Sequence, residues 1–254
     1  MSLVLQLTLC FFSGVIFLTL LHRAFSHGEK AADKDWFSSL DVAVALSISA
    51  LFVYLAFNLF ISIEQPFTEK DIPGSLLTQV IFGGIILSYV RWRKISLGQF
   101  FGIAHGPWWK SIGLGIVLMI GIFPFVGILA SLLNSEPNQE QQAVKFFRET
   151  NSLQARLLLA FMAVVVAPFV EEVVFRGLLY RVFKGYFGKY AAMFFTSVLF
   201  ASIHGNIPTL LPLTLLAFAL TAGLEWSCSL LVCIAMHATF NGISLLLLLY
   251  SGTP

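Results

Sequence analysis

The chain has 254 residues, of which 58% are hydrophobic and 11% are charged, and its mean hydropathy is +0.88. Soluble domains are roughly 45–50% apolar and about 25% charged. This composition therefore excludes a soluble protein and indicates one that crosses a membrane several times. The net charge of +2 comes without a long basic cluster, so nucleic acid is not expected as a partner.

Eight apolar segments follow one another, each close to the roughly 20 residues that cross a bilayer as a helix. They cover residues 2–21, 41–63, 74–90, 111–134, 156–184, 189–205, 208–224 and 226–250. The first has neither the basic start nor the cleavage site of a signal peptide, so we predict a membrane helix there. The polar stretch after the fourth segment is predicted to contain a surface helix.

These segments predict an all-α fold, a polytopic transmembrane helical bundle of about eight spans. Residues 1–150 supply the first four helices and their loops, and residues 151–254 supply the core that carries the candidate site. The chain offers no room for a separate soluble domain, so we expect both parts to form one integrated bundle in the lipid bilayer. The oligomeric state does not follow from the sequence.

Lys and Arg are distributed unevenly between the two sets of loops, and cytoplasmic loops carry an excess of these residues. Ten flank the loops after the first, third and fifth segments: Arg23, Lys30, Lys34, Arg91, Arg93, Lys94, Lys110, Arg181, Lys184 and Lys189. Four flank the other loops: Lys70, Lys145, Arg148 and Arg156. We therefore predict an integral protein of the cytoplasmic membrane, with the loop between the fifth and sixth segments in the cytoplasm.

The fifth segment contains three ionisable residues within the sequence PFVEEVVFRG. Such residues are costly in hydrocarbon and by default indicate a functional site. Glu172 and Arg176 are four residues apart on a helix and can pair, whereas Glu171 is rotated by about 100° and lacks a local partner. We therefore expect Glu171 to be the chemically active carboxylate. Pro168 is expected to free a backbone carbonyl one turn away.

Two later segments carry polar residues at a comparable depth. FASIHG places His204 four residues after Phe200, and HATFN places His237 and Asn241 on one helix face. At 1.5 Å per residue, Glu171, His204 and His237 lie about 20, 22 and 17 Å from the predicted cytoplasmic ends of their helices. The three pieces are therefore expected to meet in one site, which we expect to open toward the cytoplasm.

The same polar residues are also compatible with two roles that involve no hydrolysis. Buried histidines in membrane helices often make only interhelical hydrogen bonds, and a proton- or ion-coupled transport site would use similar side chains. The matched depth favours a hydrolytic or metal site over both. Glu225, in the predicted turn between the last two segments, is expected to be solvated, and no disulfide is expected among the cysteines.

EEVVFRG, FASIHG and HATFN, in this order, resemble the EExxxR, FxxxH and HxxxN motifs of the CPBP intramembrane proteases. That family includes the CAAX-processing (Rce1-like) endopeptidases and the bacteriocin-processing Abi proteins. The resemblance covers about residues 155–245. It implies an α-helical membrane endopeptidase that acts on membrane proteins or lipidated peptides near the bilayer. Some relatives are scaffolds, immunity proteins or regulators without known cleavage, which is the alternative function.

The resemblance also implies a role for each polar residue. Glu171 and His204 activate a water molecule, His237 and Asn241 hold the oxyanion, and Glu172 with Arg176 supports the site. The family is usually classed with the metallopeptidases. Glu171, His204 and His237 would suit zinc with a fourth position open for water, and a water activated without metal fits the same residues.

Overall fold

The computed structural model describes residues 3–26, 37–61, 66–103, 106–133 and 141–251, which form helices joined by turns, without a strand among them. Lys30, Lys34 and residues 134–140 of the predicted loops lie outside the described part. The helices are α1 Leu3–Ser26, α2 Ser39–Ile61, α3 Asp71–Trp92, α4 Leu97–Phe100, α5 Trp108–Leu133, α6 Gln142–Glu149, α7 Leu153–Phe187, α8 Lys189–Ser202, α9 Ile207–Ser227 and α10 Leu230–Ser251.

Six of these helices are long and apolar enough to cross a bilayer: α2, α3, α5, α7, α9 and α10. Helix α1 contains a shorter apolar stretch, Phe11–Ala24, and α8 has 14 residues. The predicted all-α membrane bundle is confirmed, and about eight spans are compatible with these eight helices. The predicted surface helix is α6, which precedes α7.

Contacts between helix termini define one end of the bundle. Lys189 at the start of α8 donates a hydrogen bond from Nζ to the carbonyl oxygen of Ala24 near the end of α1 (2.7 Å). The Arg23 guanidinium lies 5.5 Å from the Trp226 ring at the end of α9. The ends of α1, α7 and α9 and the starts of α8 and α10 therefore lie together, and we call this the basic end.

A second set of contacts defines the opposite end. Ser152, which caps the start of α7, donates from Oγ to Oε1 of Glu69 before α3 (3.3 Å). The Phe146 ring of α6 packs edge-on against Phe67 (5.7 Å between centroids). The starts of α3 and α7 and the surface helix α6 therefore lie together, and we call this the α6 end.

Glu225 does not lie in a solvated turn, so that prediction is wrong. Helix α9 continues to Ser227, three residues beyond the predicted end, which keeps Glu225 inside the helix. Its side chain is 8% exposed and lies 2.6 Å from Lys184 Nζ and 3.7 Å from Lys189 Nζ. Glu225 of α9 therefore forms ion pairs with Lys184 of α7 and Lys189 of α8, and these pairs connect the three helices at the basic end.

Helices α5 and α10 pack closely because Gly115 has no side chain. A Cβ atom at Gly115 would lie 2.5 Å from the carbonyl oxygen of Val232 and 2.7 Å from Cβ of Ala235. Small residues allow this kind of close approach between membrane helices. The contact fixes the part of α10 that precedes His237 and Asn241.

Candidate active site

Helix α7 widens into π turns at 162–166 and 173–179, on either side of the glutamate pair. In the first π turn the Ala167 N–H donates to the carbonyl of Met162, five residues earlier. The same spacing would pair the Ala163 carbonyl with residue 168, and Pro168 has no N–H. Nδ2 of Asn241 donates to that carbonyl instead (2.7 Å). Pro168 thus frees a carbonyl, as predicted, and the carbonyl anchors Asn241.

Glu172 and Arg176 form the predicted pair, with Nη1 2.8 Å from Oε1 and both side chains almost fully buried. The guanidinium also donates to the Ala217 carbonyl (3.2 Å) and to Thr221 Oγ1 (3.4 Å), both on α9. It lies 4.7 Å from the centre of the Phe200 ring. A buried ion pair needs such additional partners to offset the loss of hydration, so Arg176 ties α7 to α8 and α9.

Glu172 has a second partner that helix spacing did not predict. Oε1 of Glu172 lies 2.9 Å from Nδ1 of His237. A carboxylate paired with a guanidinium accepts hydrogen bonds, so Nδ1 of His237 carries a proton and donates it. This leaves Nε2 of His237 on the other side of the ring, 3.8 Å from Oε2 of Glu171.

His204 lies in the turn after α8 rather than on the helix, which ends at Ser202 instead of the predicted residue 205. Its Nδ1 is 2.8 Å from the carbonyl oxygen of Phe200. A carbonyl only accepts, so Nδ1 is the donor and Nε2 remains available. The Phe200 ring packs against both imidazoles, with centroids 4.9 Å from His204 and 5.6 Å from His237.

The chain turns at His204 because the following residues favour a reversal. Gly205 has φ of +63°, a left-handed conformation that glycine adopts without strain. Asn206 is extended and caps α9, with Oδ1 accepting from the Thr209 N–H (3.2 Å). The FxxxH histidine is therefore held at the depth where α8 stops and α9 begins.

Glu171 lies between two cavities. It lines a cavity of about 530 Å³ together with His204, His237 and Asn241. It also lines a smaller apolar cavity of about 260 Å³ between α2, α3 and α7. Its side chain is 24% exposed, and its Oε2 atom accepts no hydrogen bond from the described residues. Of the two glutamates, Glu171 is therefore the one available to a bound molecule.

The large cavity lies towards the α6 end of the bundle. Besides the residues above, it is lined by Gln141 and Val144 from α6 and the turn before it, by Asn206 and Thr209 at the start of α9, and by Ser244 late in α10. The predicted cytoplasmic loop after α7 lies at the basic end. Which side of the membrane each end faces, and with it the predicted opening of the site towards the cytoplasm, stays a prediction.

Asn206 could have been found from the sequence, because an asparagine two residues before a proline is a helix-start signal. Gln141, Val144 and Ser244 carry no such signal, since their role depends on how α6 and α10 fold over the cavity.

No sequence pattern predicts the close contact made by Gly177, the glycine after Arg176. In the structure a Cβ atom at Gly177 would lie 2.4 Å from the Phe100 ring of α4.

The polar groups of the site meet only part of what a metal ion needs. Each imidazole has its Nδ1 fixed by an acceptor and its Nε2 left over, as in many metal-binding histidines. Within the described part of the chain, however, no three His, Cys, Asp or Glu side chains form a group that could hold a metal ion. The present arrangement is therefore not a formed metal site, and zinc stays a prediction.

Comparison with known proteins agrees with the motif resemblance. Residues 153–243 match the family model described as Type II CAAX prenyl endopeptidase Rce1-like. The chain has no significant match among curated proteins or among solved structures. The matched segment runs from the start of α7 into α10 and contains Glu171, Glu172, Arg176, His204, His237 and Asn241. The segment that carries the candidate site is therefore Rce1-like.

Proposed function

We propose that this integral membrane protein is an endopeptidase that hydrolyses peptide bonds of membrane proteins or lipidated peptides. The Rce1-like segment supports an intramembrane protease of the CAAX type. The observation that carries the proposal is the meeting of Glu171, His204, His237 and Asn241 at one cavity. A structural polar cluster would bury its groups within the protein, as Glu172 is buried, whereas the Glu171 side chain is 24% exposed and lines the cavity.

Glu171 is proposed to be the general base. A water molecule in the cavity can donate one O–H to Glu171 and the other to Nε2 of His204, which leaves a lone pair for attack on the scissile carbonyl carbon. Glu171 takes the proton as the C–O bond forms. It then returns the proton to the amide nitrogen as the C–N bond breaks, so the products are a carboxylic acid and an amine.

Asn241 and His237 are proposed to stabilise the oxyanion. Asn241 uses one N–H on the Ala163 carbonyl and keeps the second for the substrate. His237 can donate from Nε2 only as an imidazolium, since its other proton is directed at Glu172. That cation would lie between the carboxylates of Glu172 at 2.9 Å and Glu171 at 3.8 Å. Donors held in place in this way typically lower the barrier by about 3–4 kcal/mol each.

The test is cleavage by the purified protein in proteoliposomes that contain membrane peptides, with products identified by mass spectrometry. We expect Glu171→Gln to abolish cleavage and to leave thermal stability close to that of the parent, because the amide is nearly isosteric and Oε2 of Glu171 has no hydrogen-bonded partner among the described residues. Glu172→Gln is the matched control. It should lower thermal stability in addition to cleavage, because it removes the charge that pairs with Arg176. No released peptide from folded parent protein would instead favour the scaffold, immunity or regulatory function.

Zinc bound by Glu171, His204 and His237 is the part of the proposal that comes from the resemblance alone. Binding would require these three side chains to move closer together and coordinate the ion. A zinc ion held in this way would polarise a bound water molecule. Zinc would replace the metal-free mechanism above, because the same Glu171 carboxylate and histidine Nε2 atoms would ligate it; in that case elemental analysis of purified protein gives one zinc per chain, with cleavage lost on chelation and restored by zinc. Full activity in protein without a stoichiometric transition metal would rule out this part and leave the Glu171 mechanism intact.

A further inference from the structure

We infer that the connection between α3 and α5 binds anionic phospholipid headgroups with its exposed side chains and passes this binding to the candidate site through α4. The connection joins the last turn of α3 to the first turn of α5 and contains α4. We call residues 91–110 the α4 segment. Lipid binding stands independently of catalysis, whereas its effect on cleavage rests on the proposed function.

The α4 segment lies at the basic end of the bundle. The carbonyl oxygen of Phe101 accepts hydrogen bonds from the Leu230 N–H (3.2 Å) and from Ser229 Oγ (3.3 Å), where α10 begins. Gly115 of α5 lies against Val232, also near the start of α10. Helix α10 is long enough to cross a bilayer, so its start and the α4 segment lie near a membrane interface.

The α4 segment is basic and contains no acidic residue. Its cations are Arg91, Arg93, Lys94 and Lys110. Arg93 pairs with Asp41, with Nη2 2.8 Å from Oδ2. The other three cations are exposed, and none of them forms an ion pair within the described part of the chain. A group of exposed cations without local counterions favours an anionic partner.

Three tryptophans favour a lipid surface over an acidic protein as that partner. Trp92, Trp108 and Trp109 are 67%, 59% and 58% exposed. Tryptophan is enriched at the headgroup level of membranes, because its ring is apolar and its N–H is polar. Nζ of Lys110 lies 5.4 Å from the centre of the Trp109 ring, so a cation and an interfacial ring share one surface. This combination matches an anionic headgroup together with the start of its acyl chains.

The buried side of α4 packs against the part of α7 that carries the site. Phe100 is fully buried, and its ring occupies the space that a Cβ atom at Gly177 would need. Phe101, the next residue, stacks on Phe169 with 5.8 Å between the ring centroids. These two contacts lie on either side of Glu171 along α7, so the position of α4 affects how α7 holds that carboxylate.

Backbone contacts join α4 to α10 as well. Gly102 has φ of +74°, which glycine adopts without strain, and a Cβ atom there would overlap the carbonyl oxygen of Cys228. Together with the hydrogen bonds to Phe101, this contact fixes α4 against the start of the helix that carries His237. Lipid bound to the exposed side chains favours the docked position of α4 by mass action, and docked α4 holds α7 and α10 together.

Lipid binding is tested with the full-length protein in bilayers that mix phosphatidylcholine and phosphatidylglycerol. Brominated acyl chains quench nearby tryptophans, so quenching by brominated phosphatidylglycerol is compared with quenching by brominated phosphatidylcholine at the same mole fraction. Replacing Trp36 and Trp226 by phenylalanine leaves only the three tryptophans of the α4 segment, out of five in the chain. We expect phosphatidylglycerol to quench them more strongly than phosphatidylcholine.

Removing the three exposed cations of the α4 segment together should abolish this preference: Arg91→Gln, Lys94→Gln and Lys110→Gln. The relative affinity for phosphatidylglycerol should fall at least about fivefold, the typical contribution of one cation near an anionic surface. The matched control removes three exposed cations from the α6 end and should keep the preference: Lys70→Gln, Lys145→Gln and Arg148→Gln. Equal losses in both variants overturn the inference in favour of total charge. A parent protein without the preference also overturns it and leaves the surface to an acidic protein partner.

The effect on the site is measured in the same bilayers by thermal unfolding and by peptide cleavage. Phosphatidylglycerol should raise the unfolding temperature of the parent and speed its cleavage about fivefold, and both effects should be lost in the triple variant of the α4 segment. Glu171→Gln is the inactive control. A parent that never cleaves contradicts the proposed function, while the unfolding temperature still tests the inference. Bound phosphatidylglycerol that changes neither quantity overturns the link through α4.

Discussion

At the scale of single residues, Pro168 affects the site because it has no backbone N–H to donate. The amide of residue 168 is the expected donor to the Ala163 carbonyl in a π turn, and a proline leaves that carbonyl to Nδ2 of Asn241. The carboxamide is then fixed before substrate binds. Such preorganisation matters because a donor contributes most when it does not have to reorient in the transition state.

This relation predicts the effect of Pro168→Ala. The restored N–H competes with Asn241 for the Ala163 carbonyl, so kcat/KM should fall roughly tenfold, which corresponds to about 1.4 kcal/mol. Thermal stability should stay level or rise, because a proline inside a helix is unfavourable. Pro124→Ala in α5 is the control and should leave kcat/KM unchanged. Unaltered cleavage by Pro168→Ala would show that Asn241 does not depend on the carbonyl.

Arg176→Ala is predicted to destabilise the protein. It leaves Glu172 buried without its cationic partner, which typically costs 3–5 kcal/mol. Replacing both residues by leucine should recover part of that stability and none of the cleavage, because His237 then has no acceptor for its Nδ1 proton. Thermal unfolding in detergent is measured beside peptide cleavage. A double variant that cleaves at the parent rate would contradict the positioning role of Glu172.

The two glutamates show how far the sequence alone can lead. Helix spacing predicts that Glu172 pairs with Arg176 and that Glu171 faces elsewhere, because both statements depend only on local geometry. The hydrogen bond from His237 to Glu172 joins residues 65 positions apart. It depends on how α10 rotates against α7, and no local pattern encodes that rotation. The partners on α9, Ala217 and Thr221, were missed for the same reason.

At the scale of helices, the sequence predicted which segments cross the membrane better than where they stop. Apolar length reflects the need to cross the bilayer, so the six helices long enough to do so were found, whereas the predicted first and sixth segments correspond to a shorter apolar stretch in α1 and to the 14-residue α8. The ends of α8 and α9 depend on other forces. Helix α8 stops early because Gly205 and Asn206 turn the chain within the protein, and α9 runs on because two lysines neutralise Glu225.

The packing of α10 on α5 gives a prediction with an internal control. Gly115→Ala places a Cβ atom 2.5 Å from the Val232 carbonyl, so α10 must shift and carry His237 with it. We expect Gly115→Ala to lower thermal stability and to lower the cleavage rate by a larger factor than the loss of stability alone would cause. Gly113→Ala, two residues away with nothing within 4 Å of its Cβ position, should be neutral or stabilising by about 0.5–1 kcal/mol. Equal effects of both variants would refute a close-packing role.

At the scale of the whole molecule, Glu171 lies between a polar cavity that reaches one end of the bundle and an apolar cavity at the side of the bundle. The large cavity reaches the α6 end, and the smaller apolar cavity is lined by Leu51 and Leu55 of α2, which are exposed on the surface of the bundle. Glu171 lines both cavities. A peptide whose scissile carbonyl lies at Glu171 can therefore extend a polar part into the large cavity and one apolar side chain into the small one.

This arrangement predicts that filling the apolar cavity changes substrate preference rather than catalysis as a whole. Leu55→Trp should lower kcat/KM about 10- to 150-fold for peptides with a large apolar residue beside the scissile bond, because the side chain loses burial worth about 1.5–3 kcal/mol. Peptides with alanine at that position should be cleaved nearly as before. Leu46→Trp, on the same helix and lining neither cavity, is the matched control. Equal losses for both peptides would show that the cavity does not bind the substrate side chain.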